Sequence, residues 1–225
     1  MIFHINKNKI FEILCGQINN LFSLSTLEKK ILSKAFQKSL NRSEFCFSKS
    51  KIKYYKKNQK TFFNPFHSGQ YCIFLYYLSN SIIKIKKNNS KSYKTLADKV
   101  YYLNKTLNGI DLFYEVKMPK VFVLDHPVGT VIGKANIRDY FSFSANCTVG
   151  GNKGVYPKIG RNVYMSISST ILGDCKIGDN VIFSANSFII DKDVPSNSMV
   201  FGQSPNNIIK KIPSKKIFKI LKVDR

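Results

Sequence analysis

A parallel β-helix of hexapeptide repeats, preceded by a helical amino-terminal domain, is the fold this sequence predicts, and three observations predict it. Apolar residues fall six apart at Ile137, Phe143 and Val149, and again at Ile159, Met165, Ile171, Ile177, Phe183 and Ile189. Four residues after most of these stands a small or β-branched one (Val163, Ser169, Val181, Ser187), and glycine follows isoleucine at Gly133, Gly160 and Gly178. A six-residue period suits neither an α-helix nor one amphipathic strand; it is the signature of short strands wound into a solenoid. The first 108 residues lack that period and show helical spacing instead.

Within residues 1–108, Ser25 followed by Glu28 is a capping-box pattern, and Leu27, Ile31, Leu32, Ala35, Phe36 and Leu40 continue it at helical spacing. A second helix is expected over residues 70–85, and a third from Thr95 to Leu107, where Asn108-Gly109 supplies the stop. The lysine- and aromatic-rich stretch 49–63 carries no assignable pattern, and residues 86–93 read as a polar loop. Residues 109–205 form the solenoid domain, and 206–225 a basic tail.

In the solenoid each hexad gives one strand and one turn, and three hexads close a triangular coil. Residues 18 apart then stack: Ile159 on Ile177, Met165 on Phe183, Ile171 on Ile189. The apolar residue points into the prism, while the glycines and Asn162 and Asn180 take corners where positive φ costs them little. One coil buries little by itself, so stacking supplies the core. The step from Val149 to Ile159 is ten residues instead of six and contains Gly150 and Gly151. Such insertions project from a corner as loops.

The 225 residues carry a net charge of +23, with 44% apolar and 13% aromatic residues. That apolar content excludes a disordered basic tail. The longest apolar stretch, 71–78, falls far short of a membrane span, and the amino terminus lacks a signal-peptide cleavage pattern. Five scattered cysteines without a C-x-x-C indicate reduced thiols and a cytosolic location, at or away from the membrane surface, and no structural zinc. With three histidines in all, no histidine-rich metal site is expected. Lysine runs lie at 51–60, 84–94 and 210–222, but no helix-turn-helix, zinc-finger or aromatic RNA-binding signature accompanies them, so nucleic acid is not the expected partner. A field of this sign favours anionic ligands, nucleotide cofactors and acidic glycans among them.

Seven segments, in order, resemble the serine acetyltransferase branch of the hexapeptide-repeat acyltransferases: GIDL (109–112), LDHPVGTVIG (124–133), NCTVGGNKG (146–154), YPKIG (156–160), TILGDCKIGDNV (170–181), FSANSFIIDKDVP (183–195) and FGQSPNNII (201–209). They span a little under half of the chain. The resemblance implies a left-handed β-helix, homotrimers with active sites between subunits, acetyl-CoA as co-substrate and no metal. It further implies a catalytic Asp-His dyad, the histidine in D-H-x-x-G-x-V-I-G and the aspartate fifteen residues earlier, which are His126 and Asp111 here. The roles suit the chemistry: a neutral imidazole takes the proton of an attacking hydroxyl, and a carboxylate fixes its tautomer and stabilises the imidazolium.

By the same resemblance Asp125 binds the acceptor, unless it only caps its turn. Gly151 contacts the thioester arm, where a backbone donor would stabilise the oxyanion. Ser166, Ile167, Ser184 and Ala185, expected on strands, line the acetyl-CoA arm. Lys210 and Lys211 either meet the CoA phosphates or belong to a solvated tail. The departures bear on substrate. The family has Arg-His before Pro-Lys-Ile-Gly, and its arginine helps hold the substrate carboxylate; this chain has Val155-Tyr156. Without a guanidinium the main reason to select an amino acid is gone, whereas Tyr156 suits a sugar ring. The segment NPFHSGQY (64–71) resembles members associated with surface-glycan synthesis, and its His67 is an acceptor-site candidate or simply the start of a helix. The expected activity is therefore O-acetylation of a sugar hydroxyl on a surface polysaccharide or its precursor. The acceptor would be a glycan or nucleotide sugar, and the basic chain suits an acidic one. Serine O-acetylation, N-acetylation of an amino-sugar nucleotide, and a non-catalytic trimeric anion-binding scaffold are the alternatives.

Overall fold

A computed structural model describes residues 1–85 and 91–213. Four helices come first: α1 (Lys7–Leu21), α2 (Thr26–Ser48), α3 (Ser68–Lys84) and α4 (Lys91–Asn108). The capping box is present, Ser25 Oγ accepting the Glu28 amide at 3.2 Å and Glu28 Oε2 accepting the Ser25 amide at 2.8 Å. Gly109 at φ +62° ends α4, as the Asn-Gly pair indicates. The structure differs from expectation in three places. Residues 7–21 form a helix of their own, with Ile10, Leu14 and Ile18 buried at helical spacing. Helix α4 begins at Lys91, so of the expected polar loop 86–93 the last three residues are helical and 86–90 lie outside the described residues. The unassigned stretch 49–63 includes a hairpin of Lys56–Lys57 and Lys60–Phe63, to which Ile2–Phe3 adds a parallel strand.

Helix α3 is the axis of this region, buried continuously from Gly69 to Ile82. It also fastens the helices to the solenoid. The Tyr76 hydroxyl donates to Val116 O at 2.6 Å, the Tyr77 hydroxyl to Lys120 O at 3.2 Å and Asn80 Nδ2 to Tyr114 O at 2.7 Å. These bonds tie side chains of α3 to backbone carbonyls of the connecting segment, and Asn80 gives the buried Tyr114 its carbonyl partner.

The solenoid has three parallel sheets, one per face, with one added antiparallel strand. The first comprises Phe122–Leu124, Phe141–Phe143, Tyr164–Met165, Val181–Phe183 and Ser198–Phe201, with Ile208–Lys211 antiparallel at its end. The second comprises Val131–Ile132, Thr148–Gly150, Thr170–Leu172 and Phe188–Ile190; the third, Asn136–Ile137, Lys158–Ile159 and Lys176–Ile177. The 18-residue stacking is observed: Ile159 opposite Ile177, Met165 opposite Phe183, Ile171 opposite Ile189. All six are buried, each contributing about 1.5–3 kcal/mol of transfer free energy before the entropy cost of ordering.

The corners follow two chemistries. One carries an asparagine ladder, Asn162 Nδ2 donating to Asn180 Oδ1 at 2.8 Å and Asn180 Nδ2 to Asn197 Oδ1 at 2.9 Å, with all three at φ between +56° and +58°. Another is closed by serine, the Ser169 and Ser187 hydroxyls each donating at 2.8 Å to Ser166 O and Ser184 O. This is the reason for the serines four after Met165 and Phe183. The expected role of Gly160 and Gly178 is corrected: neither has positive φ. A Cβ on Gly160 would stand 2.6 Å from Gly178 backbone, and one on Gly178 would stand 2.4 Å from Ser196 N. They are glycine because adjacent coils approach too closely for a side chain. Of the segment expected as a basic tail, Ile208–Lys211 is a strand paired with Ser198–Phe201, and 214–225 lie outside the described residues.

Candidate active site

His126 stands on the corner that joins the first sheet to the second, and that corner is lengthened. Leu124 pairs with Phe143 and Val131 with Thr148, so seven residues separate the sheets in this coil (131 − 124) against five in the next (148 − 143). With the two extra residues Asp125 is half-buried and His126 reaches solvent, while Pro127 stays buried. His126 has φ +53°, a left-handed conformation within the extension; the position that Asn146, Ser168 and Asn186 fill in later coils is taken here by Gly129, at φ +73°. His126 is thus additional to the repeat, and its positive φ is a cost that a histidine bears and that leaves the residue in solvent.

His67 comes to the same place from the helical region. It caps α3, its Nδ1 accepting the Gln70 amide at 3.3 Å. Gly69 lets the helix start lie against the corner: a Cβ there would stand 3.0 Å from Leu124 O and 3.4 Å from His67 Cε1. The buried Tyr55 hydroxyl donates to the same Leu124 O at 3.3 Å. Burial lowers the His67 pKa, and the nearby His126 adds to this while Asp125 opposes it. So His67, Asp125 and His126 share one electrostatic neighbourhood, and His67 is both a helix cap and a neighbour of the corner.

Asp111 does not join them as expected. Among the described residues no hydrogen bond links it to His126; Oδ1 accepts the Tyr101 hydroxyl at 2.6 Å and Oδ2 accepts Lys105 Nζ at 2.7 Å. Tyr101 and Lys105 are one turn apart on α4 and present both donors together. Burial acts to raise the carboxyl pKa, but these two partners hold it below the ordinary aspartate value. Asp111 bridges Val131 of the second sheet and borders a cleft of about 550 Å³ with Val131, Gly133 and Lys134.

The ten-residue insertion closes as a tight hairpin. Asn152 and Val155 exchange amide–carbonyl bonds at 3.0 and 2.9 Å around Lys153 and Gly154, both at positive φ, and Asn152 Nδ2 donates to Asp191 Oδ2 at 2.6 Å. Gly151 does not need positive φ. A Cβ there would stand 2.8 Å from the Tyr156 ring, which lies on it, with Lys134 Nζ 4.9 Å from the centre of that ring. Tyr156 is thus joined to the Asp111 cleft through Lys134, whose only sequence signal is that it follows the V-I-G of the histidine segment.

Ser166, Ile167, Ser184 and Ala185 lie in turns after the first-sheet strands, not on strands as expected. The turn bonds align Val128, Ala145, Ile167 and Ala185 in one column: Asn146 N–H donates to Val128 O, Ser168 N–H to Ala145 O and Asn186 N–H to Ile167 O, all at 2.9–3.0 Å. Val128 and Ile167 are 61% and 47% exposed, so an apolar row runs along the corner from the histidine. Lys210 and Lys211 are placed elsewhere. Their pairing with Met199 and Ser198 sets them at the edge of the first sheet opposite the corner of Ser184 and Ala185, and Lys210 Nζ is 5.8 Å from the Phe201 ring centre. No group of three or more potential metal ligands occurs among the described residues, and none of their helices is long and apolar enough to cross a membrane.

Comparison with known proteins agrees with this architecture. Residues 156–191 match the bacterial transferase hexapeptide (six repeats) family. A search of curated proteins gave no match. Among solved structures, the serine acetyltransferase of Vibrio cholerae superimposes with a TM-score of 0.72 at 19% identity, covering 96% of this chain and 84% of that one. That of Neisseria gonorrhoeae gives 0.67 at 21%, covering 94% and 84%. A serine acetyltransferase in complex with CoA gives 0.66 at 17%, covering 89% and 83%. At these identities the likeness is one of fold, and it extends over the helices as well as the coils: the chain has the hexapeptide-repeat solenoid with helical amino-terminal region seen in those acetyltransferase structures.

Proposed function

We propose that the protein is an acetyl-CoA-dependent O-acetyltransferase acting on a sugar hydroxyl of a surface polysaccharide or its precursor. The observation that carries the reading is the lengthened corner, which presents the His126 imidazole at the head of the exposed apolar row Val128–Ala145–Ile167–Ala185. That row suits the thioester arm of acetyl-CoA, with Ser166 and Ser184 beside it. His126 takes the proton of the acceptor hydroxyl as its oxygen attacks the thioester carbonyl carbon; the Gly151 amide is the proposed donor to the oxyanion; the C–S bond then breaks and the imidazolium returns the proton to the CoA thiolate. An enzyme-bound acyl thioester has little support here. Burial pushes Cys46 up to about 11 and Cys72 to about 12, and raises Cys147 and Cys175, so these thiols stay protonated.

In this reading Asp111, paired with Tyr101 and Lys105, orders α4 against the second sheet and borders the acceptor cleft together with Lys134, beside which the Tyr156 ring stands. A tyrosine ring with a cation beside it suits a sugar carrying a negative group better than free serine. The test is thiol release from acetyl-CoA with an acidic oligosaccharide, serine and an amino-sugar nucleotide as separate acceptors. Wild type should turn over the oligosaccharide, and His126→Asn should lose at least about a hundredfold in kcat. Efficient serine turnover overturns the acceptor assignment, preferred turnover of the amino sugar makes it an N-acetyltransferase, and an undiminished His126→Asn overturns the mechanism.

A further inference from the structure

A basic groove lies away from the histidine corner, where the helices meet the solenoid. It begins in a cavity of about 460 Å³ lined by Lys38, Arg42 and Lys84 of the helices and by Lys120 of the connecting segment, with no carboxylate in the lining. Arg42 is half-buried and held from two sides: its guanidinium is 4.3 Å from the Tyr77 ring centre, and Nη1 donates to Tyr77 O at 3.2 Å and Ser81 Oγ at 2.9 Å. Those bonds use one nitrogen; among the described residues no partner takes Nε or Nη2. Burial, Arg42 and Lys38 together lower the Lys84 pKa, the mark of like charges gathered in one hollow.

The hollow does not end there. Through Met118, Pro119 and Lys120 it runs into a second concavity of about 390 Å³ with Arg138 and Arg161, and through Arg138 into a third of about 580 Å³ on the third sheet with Lys158 and Lys176. The acids along the way are Asp139 and Asp179. Asp139 Oδ1 accepts the Lys120 and Val121 amides at 2.9 and 3.3 Å, and Asp179 Oδ1 accepts the Arg161 amide at 2.7 Å. Against these two carboxylates the groove sets all the lysines and arginines of its three hollows, so positive charge is in large excess.

We propose that this groove binds an extended polyanion, an acidic glycan strand, with Arg42 as the fixed anchor for one carboxylate or phosphate group and the later cations for its neighbours. A guanidinium stacked and bonded on one edge presents the other as a pre-organised fork for an oxyanion. Three joined hollows suit a chain better than a single ion. A glycan is favoured over a nucleic acid because single-strand binding stacks successive bases on successive rings, and of the groove's rings Tyr77 is buried, Tyr140 has Arg161 5.4 Å from its ring centre, and Phe45 alone stands exposed. As a track for the acceptor, the groove rests on the acetyl-transfer reading; strand binding by itself does not.

The experiment is fluorescence anisotropy on the full chain with a labelled galacturonate decamer, a dT decamer of similar charge, and inorganic phosphate as competitor. The variants are Arg42→Met, the surface pair Arg138→Ser with Arg161→Ser, and Lys30→Gln at the far end of α2 as a charge control. The galacturonate should bind in low salt, both groove variants should weaken it about tenfold or more, and the control should leave it unchanged. Absence of binding, equal loss in Lys30→Gln, tighter binding of dT, or phosphate competing as well per charge as the decamer would each overturn the proposal. The pair sits on the solenoid surface, so it decides the matter if Arg42→Met fails to fold. A strand that binds but is never acetylated removes the acetyl-transfer reading and leaves the groove. Acetylation with an unchanged KM in Arg42→Met removes the groove from the acceptor's path.

Discussion

The Asp111 carboxylate is held by an ammonium and a phenol on one face of α4, and this gives it a signed pH dependence. Its folded pKa lies below the unfolded one, so its contacts stabilise the protein above the ordinary carboxyl range, near 4, and are lost as pH falls through the folded value. Asp111→Asn should therefore lower the urea midpoint at pH 7, and its difference from wild type should shrink as pH falls below the ordinary carboxyl range. If instead the carboxylate served His126, the substitution would chiefly distort the pH–rate profile and leave the urea midpoint where it was. The sequence distance between Asp111 and His126 was legible; the donors Tyr101 and Lys105 were not, because only the docking of α4 on the first coil brings them to the carboxylate. His67 was legible as a helix start, and its approach to His126 depends on a glycine two residues later.

The coils owe their spacing to the glycines. Gly178→Ala puts a methyl against Ser196 backbone, which has no rotamer to yield, and should cost about 1–3 kcal/mol in chemical unfolding. Gly16 makes the opposite case, lying in the interior of α1 where an added methyl would meet nothing within 4 Å, so Gly16→Ala should stabilise by roughly 0.5–1 kcal/mol. Equal effects at the two positions would show that coil contact is not what requires Gly178. The repeat was legible because every coil repeats the same burial, whereas the hairpin of 49–63 and the helix 7–21 were not. The hairpin pairs with residues 2–3, distant in sequence, so no local period announces it; helix 7–21 does carry a period at Ile10, Leu14 and Ile18, too short to stand out among its polar neighbours.

For the whole molecule, we propose a homotrimer with the histidine corner of one subunit completed by its neighbour. The exposed row at Val128 and Ile167 and the open cleft beside Asp111 are the surfaces such a neighbour would cover. Light scattering on the purified chain should give three times 25.8 kDa; a monomer that turns over acetyl-CoA would place the complete site within one chain. Acetyl-CoA should protect Ile167→Cys from alkylation if the thioester arm lies along that row.

By itself the sequence determined the solenoid, its 18-residue stacking, the buried columns and the position of the single histidine among the coils. These follow from a period, and a period survives in one dimension. Only the tertiary structure decided that the histidine corner is two residues long of its neighbours, that Asp111 answers to α4, that Lys134 joins Tyr156, and that scattered lysines and arginines converge in one groove. Those outcomes depend on which surfaces dock, and docking joins residues whose separation along the chain carries no regular signal.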